Sequence, residues 1–106
     1  MVQNENLNAV ALFKNALAGK LRVDQLVFFG SRAKGIFSPD SDFDLIVVSE
    51  DFEGIPPHKR AQLAYLEWLD ERPAEILCFT PEEIKIRLKN PIRGIVAEAF
   101  ATGITV

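Results

Sequence analysis

A chain of 106 residues with a net charge of −3, 48% hydrophobic and 25% charged, is sized for one domain around one core. That charge balance excludes the broad basic face with which a protein grips tRNA or duplex DNA unaided. The single cysteine, Cys78, excludes an internal disulfide. No apolar run approaches the ~18 residues of a membrane span and the polar start is unlike a signal peptide, so a small cytoplasmic domain is expected.

Asn4, Asn6 and Asn8 are each candidate caps for a first helix running to about Ala18-Gly19. Its apolar stripe comprises Leu7, Val10, Ala11, Leu17 and Ala18, with Lys14 in the same row. A first strand is expected over Gln25–Phe29, a short helix over Ser31–Gly35 with Phe37 tucked beneath it, and a second strand from about Asp42 to Val48. Glu50–Pro57 reads as an acidic loop whose second proline suits a first helical position. A helix over His58–Glu71 then ends at Pro73, and Glu75–Phe79 forms a third strand. Thr80-Pro81-Glu82-Glu83 is a capping box opening a helix to Lys89. Asn90-Pro91 breaks it, a last helix runs through Phe100 to Gly103, and Ile104–Val106 suits an edge strand. This order predicts an α+β fold over residues 1–106: a mixed sheet with helices packed mainly on one face.

The chain is organised around Gly30–Ser49, GSRAKGIFSPDSDFDLIVVS. A Gly-Ser turn follows the apolar run Leu26–Phe29, and Asp42-Phe43-Asp44 feeds the apolar run Leu45–Val48. On a strand, residues two apart share a face, about 7 Å apart along it. The carboxylates of Asp42 and Asp44 therefore repel. A hard divalent cation such as Mg²⁺ or Mn²⁺ relieves that conflict, taking one or two carboxylates and completing its shell with water and phosphate. A glycine at 30 lets backbone approach a phosphate closely, and a helix starting at Ser31 directs free N–H groups toward it. Gly30 and Ser31 are thus candidate phosphate ligands, with Arg32 and Lys34 in reach of a triphosphate.

These residues resemble the signature of the polymerase-β-like nucleotidyltransferases, G-S-x(3)-G followed by (S/T)-D-x-D and hydrophobics, and the short chain is similar to the minimal branch of that superfamily. The motif spans about a fifth of the chain. The resemblance implies a palm-like fold and two Mg²⁺ or Mn²⁺ sites. It also implies transfer of a nucleoside monophosphate, AMP if the substrate is ATP, to a hydroxyl. A third acid on a later strand completes the ligand set in that family, where it is normally Asp. Here Glu75 is the acid at the head of the third strand, one methylene longer, so Asp42, Asp44 and Glu75 are the implied metal ligands and catalytic residues.

Asp40 reads as turn chemistry, His58 as a surface residue and Cys78 as a small core residue. Lys85, Arg87, Lys89 and Arg93 read as a solvated basic face that could also meet an acidic partner. Larger relatives of the implied family carry acceptor-binding domains for which this chain has no room. The resemblance therefore implies a second protein, a HEPN-type helical partner, neutralised as in a toxin–antitoxin pair by adenylylation. The competing expectation is a module that binds the partner by contact alone. The acceptor, the preferred base and the oligomeric state are left open by the sequence.

Overall fold

The computed structural model describes residues 2–90 and 94–106, with side chains from Glu5 onward. Four strands form one sheet: β1 (Gln25–Phe29), β2 (Phe43–Val48), β3 (Ala74–Phe79) and β4 (Ile104–Thr105), ordered β3-β2-β1-β4. β1 pairs antiparallel with both β2 and β4, whereas β2 and β3 run parallel, so the sheet is mixed. The parallel pair is possible because a helical crossover, α3 (Pro57–Tyr65), returns the chain to the same end of the sheet. The short β4 closes the free edge of β1, and the preceding turn needs Gly103. A β-carbon there would lie 2.5 Å from the Ala99 carbonyl and 2.7 Å from the Val27 side chain.

Alternation along the strands divides the core in two. Leu26 and Phe28 of β1, Phe43, Leu45 and Val47 of β2, and Ile76 of β3 face α1 (Val2–Ala18) and α3 in the larger cluster. Val27, Ile46 and Val48 point the other way and are covered by α4 (Pro81–Lys89) and α5 (Ile95–Thr102) through Ile84, Val96 and Ala99. The α+β expectation holds. The larger core does lie on one face, and the second face is covered as well. Among the described residues no helix is long and apolar enough to cross a membrane.

Several local expectations are corrected. Asn6 and Asn8 lie inside α1 rather than at its cap, and the buried row is Asn6, Ala9, Val10, Phe13 and Leu17. Lys14 sits at the edge of that row, where its ammonium donates to the Val106 carbonyl at 2.6 Å. α3 stops at Tyr65, six residues early. The Tyr65 hydroxyl donates to the Ala74 carbonyl and accepts from the Ile76 N–H, latching the helix end to β3. The chain then turns to place Trp68 against Phe13 and Phe43, with ring centroids 5.5 and 5.0 Å apart. Packing overrides helix propensity there. The capping box on α4 is present as read, and its Glu83 also pairs with both terminal nitrogens of buried Arg60. Arg93, expected in the basic cluster, lies outside the described residues.

Candidate active site

Pairing register gathers the candidate residues at one end of the sheet. Phe29, the last residue of β1, pairs with Asp44, and Asp44 pairs with Glu75. Directly paired residues share a face, so Asp44 and Glu75 are neighbours across the β2–β3 boundary, at the spacing of adjacent strands, about 4.8 Å. Asp42 falls just before β2, one residue outside the strand expected for it. Because β1 ends where β2 begins, Gly30 and Ser31 emerge beside the acids. They open the one-turn helix α2 (Gly30–Lys34), which closes on Gly35 in the left-handed conformation.

Gly30 has φ +80, and a β-carbon there would lie 2.1 Å from Asp44 Oδ2. Both facts restrict the position to glycine. The Asp44 carboxyl is held above its ordinary value, first by burial, then by the charges of Glu75 and Asp42. No hydrogen bond or ion pair engages that carboxylate among the described residues. A half-buried carboxylate with two acidic neighbours and no cationic partner is a donor set suited to a hard divalent ion. Among the described residues, though, no three Asp, Glu, His or Cys side chains already converge closely enough to hold an ion. Asp42 and Glu75 are both exposed and free to rotate toward Asp44.

Ser31 is partly buried at the start of α2, and Lys34 is exposed on it. Arg32 sits elsewhere than expected. It is 2% exposed, and all three donor nitrogens of its guanidinium are engaged: Nε to the Ser41 carbonyl, Nη2 to the Pro39 carbonyl and Nη1 to Asn6 Oδ1. The guanidinium also stacks on the rings of Phe37 and Phe43. Phe37 is therefore a cover for Arg32 rather than a core residue beneath α2. With every guanidinium nitrogen engaged and its surface buried, Arg32 is not presented to a triphosphate in this arrangement. Burial is the first cause lowering its pKa, followed by Arg72, while Asp70 and Asp42 act the other way.

Asn6, Phe43 and Arg72 lie outside the set of candidate ligands, yet they build the wall behind the acids. Phe43 stacks on Phe28 and lies under the guanidinium groups of both Arg32 and Arg72. Arg72 is itself held by two hydrogen bonds to the Asp70 carboxylate. Asn6 carried one available signal: it is the lone polar residue in the row continued by Val10, Phe13 and Leu17.

No curated protein sequence matches the chain. Among solved structures, a Sulfolobus solfataricus protein described as a nucleotidyltransferase superposes with a TM-score of 0.55 at 18% identity, over 84% of this chain and 82% of its own. BolA1 from Arabidopsis thaliana superposes with a TM-score of 0.56 at 25% identity, over 71% of this chain and 94% of its own. Both are likenesses of fold. The model of the nucleotidyltransferase domain matches residues 10–100, a span that contains the Gly-Ser turn, both aspartates and Glu75. The chain belongs to the nucleotidyltransferase domain family.

Proposed function

We propose that this domain transfers a nucleoside monophosphate, AMP from ATP, to a hydroxyl of a helical partner protein, and that it acts as the antitoxin of that pair. The observation that carries the chemistry is the contact of Gly30 with the Asp44 carboxylate, which sets a side-chain-free turn beside the acids. In the transfer, the acceptor hydroxyl loses its proton to solvent and its oxygen bonds to the α-phosphorus as the bond to the bridging oxygen breaks, releasing pyrophosphate. Gly30 leaves room for the phosphates, and Ser31 and Lys34 are placed to orient them. Asp42 and Asp44 would hold the nucleotide-bound Mg²⁺, and Asp44 with Glu75 a second ion. Bound Mg²⁺ or Mn²⁺ supplies charge neutralisation on the phosphates and a lowered pKa for the acceptor hydroxyl.

The protein acceptor is supported by the opposite side of the sheet. Leu12, Leu66 and Leu69 stand largely exposed there. Beside them a mainly apolar groove of about 230 Å³ is lined by Leu17, Leu21, Phe52, Ile55 and Leu63, together with Lys20 and Asp51. Exposed apolar area of this kind suits a partner surface. The contact-only reading has one observation in its favour, the absence of converged acids among the described residues. The test is incubation of the chain with α-labelled ATP, Mg²⁺ and the product of the neighbouring gene. Label on the partner, lost in Asp44→Asn, supports transfer; tight association with no label from the wild type replaces it with the contact-only reading.

A further inference from the structure

We propose that Arg32, oriented by Asn6, is a positioning residue that sets Asp42 beside Asp44, an inference that rests on the nucleotidyltransferase reading. Asp42 lies in the irregular stretch between Gly35 and β2, exposed and without a hydrogen bond of its own among the described residues. Its place is therefore determined by the residues on either side. Arg32 grips both. Its Nε donates to the Ser41 carbonyl at 2.7 Å, and its guanidinium lies 4.7 Å from the centroid of the Phe43 ring. A third grip, Nη2 to the Pro39 carbonyl at 3.1 Å, fixes the turn from which Asp42 emerges.

Asn6 determines which way this fork points. Its Oδ1 accepts from Arg32 Nη1 at 3.1 Å, and its Nδ2 donates to the Arg32 carbonyl at 3.4 Å, so one buried amide reads both the side chain and the backbone of residue 32. A buried guanidinium is costly unless its donors are satisfied. Here they are satisfied by two backbone carbonyls and an amide, with no direct carboxylate pair. If filling space were the only requirement, an apolar side chain between Phe37 and Phe43 would serve. A planar fork of donors is what holds three separate points of one loop, and lysine lacks it.

The test measures Mn²⁺ binding by electron paramagnetic resonance on the full chain, with hydrogen exchange over residues 38–43. The variants are Arg32→Lys and Asn6→Ala, with Arg60→Lys as a comparison: another buried arginine, paired to Glu83 beyond the far end of β3. Expected are folded Arg32→Lys and Asn6→Ala proteins whose Mn²⁺ affinity falls about 10- to 100-fold, as for other groups that orient ligands from behind. Exchange over 38–43 should quicken in both, while Arg60→Lys keeps wild-type Mn²⁺ affinity whatever its loss in Tm. Wild-type Mn²⁺ affinity in a folded Arg32→Lys overturns the proposal, as does an equal loss in Arg60→Lys. If Arg32→Lys does not fold, Asn6→Ala decides by the same criteria. A wild type that binds no Mn²⁺ overturns the proposed function on its own account. Exchange over 38–43 then still decides the positioning role: unchanged exchange in the variants rejects it, and faster exchange supports it.

Discussion

The α-carbon of Gly30 lies against the carboxylate of Asp44, so closely that a β-carbon at residue 30 would sit 2.1 Å from Oδ2. One contact thus joins the end of β1 to the start of β2 and explains why a Gly-Ser pair accompanies the Asp-x-Asp pair in this sequence. Replacing Gly30 by alanine imposes strain at φ +80 and expels the carboxylate. The expected cost is about 1–3 kcal/mol in stability. Label transfer should fall further than the stability loss implies, on the order of 100-fold, because a displacement of about 1 Å at a reacting centre has that effect. Denaturant melts and label transfer on Gly30→Ala check both. A folded variant with undiminished transfer would show that the contact plays no part in the chemistry.

Asp44 itself is an electrostatic burden in the metal-free protein. Burial, Glu75 and Asp42 together hold its carboxyl above the ordinary value. A raised acid is disfavoured in its charged form on folding, so the wild type loses stability as pH rises from the unfolded value through the folded one. Below the ordinary aspartate value of about 3.9 that penalty is absent. Asp44→Asn should accordingly match or exceed the wild type in Tm at neutral pH without metal. The gap should close on acidification. Thermal melts between pH 4 and 7.5 check it, and a fall of several degrees at neutral pH would mean that the carboxylate has a structural role. Adding Mn²⁺ should reverse the order, stabilising the wild type and not the variant.

The ion pair at the other end of β3 carries the opposite pH dependence. Arg60 donates to Glu83 through Nη1 at 2.6 Å and Nη2 at 3.1 Å, and this pairing with Arg60 is the first cause holding the Glu83 carboxyl below its ordinary value. A lowered acid contributes stability that is present above the unfolded value, about 4.3, and lost as pH falls through the folded one. Glu83→Gln should therefore cost stability at pH 7 and little at pH 3. The expected neutral-pH loss is about 1–2 kcal/mol, less than for a fully buried pair because the Glu83 side chain is 40% exposed. Denaturant titrations at the two pH values check it. Equal losses at both would place the effect in the capping box rather than in the charge pair.

Much of this architecture was legible because its signals are local. The apolar runs 25–29 and 43–48, the Thr80–Glu83 box and the Gly-Ser and Asp-x-Asp pairs each declare themselves within a few residues. What was not legible depends on contacts far apart in the chain. Asn6 reads as a helix cap until Arg32, 26 residues on, provides it with a partner. Arg32 reads as a cation in reach of a triphosphate until Phe37, Phe43 and two carbonyls enclose it. The helix read through Glu71 stops at Tyr65 because a hydroxyl reaches β3 and Trp68 fills the space under Phe43, neither of which leaves a periodic trace. Asp44 and Glu75 lie on the strands the sequence predicts and Asp42 one residue before its own, while their exposure and incomplete convergence depend on side-chain rotamers.

Glu75 separates an enzyme from a contact-only partner. Its register places it directly opposite Asp44, and its side chain is exposed. If it holds a second ion, Glu75→Gln should lower label transfer by at least about 100-fold, since removing one oriented charge from a transferring phosphoryl group is worth about 3–4 kcal/mol. Fold and partner affinity should persist, because Glu75 contributes to neither core cluster. Glu75→Asp should retain or raise transfer, since a shorter side chain on the same strand suits an ion held close to Asp44. Rates measured with excess partner, beside partner affinity by calorimetry, distinguish the two effects. Transfer undiminished in Glu75→Gln would remove Glu75 from the ligand set and leave Asp42 and Asp44 as its carboxylates. A loss of partner binding in the same variant would place Glu75 in the interface instead.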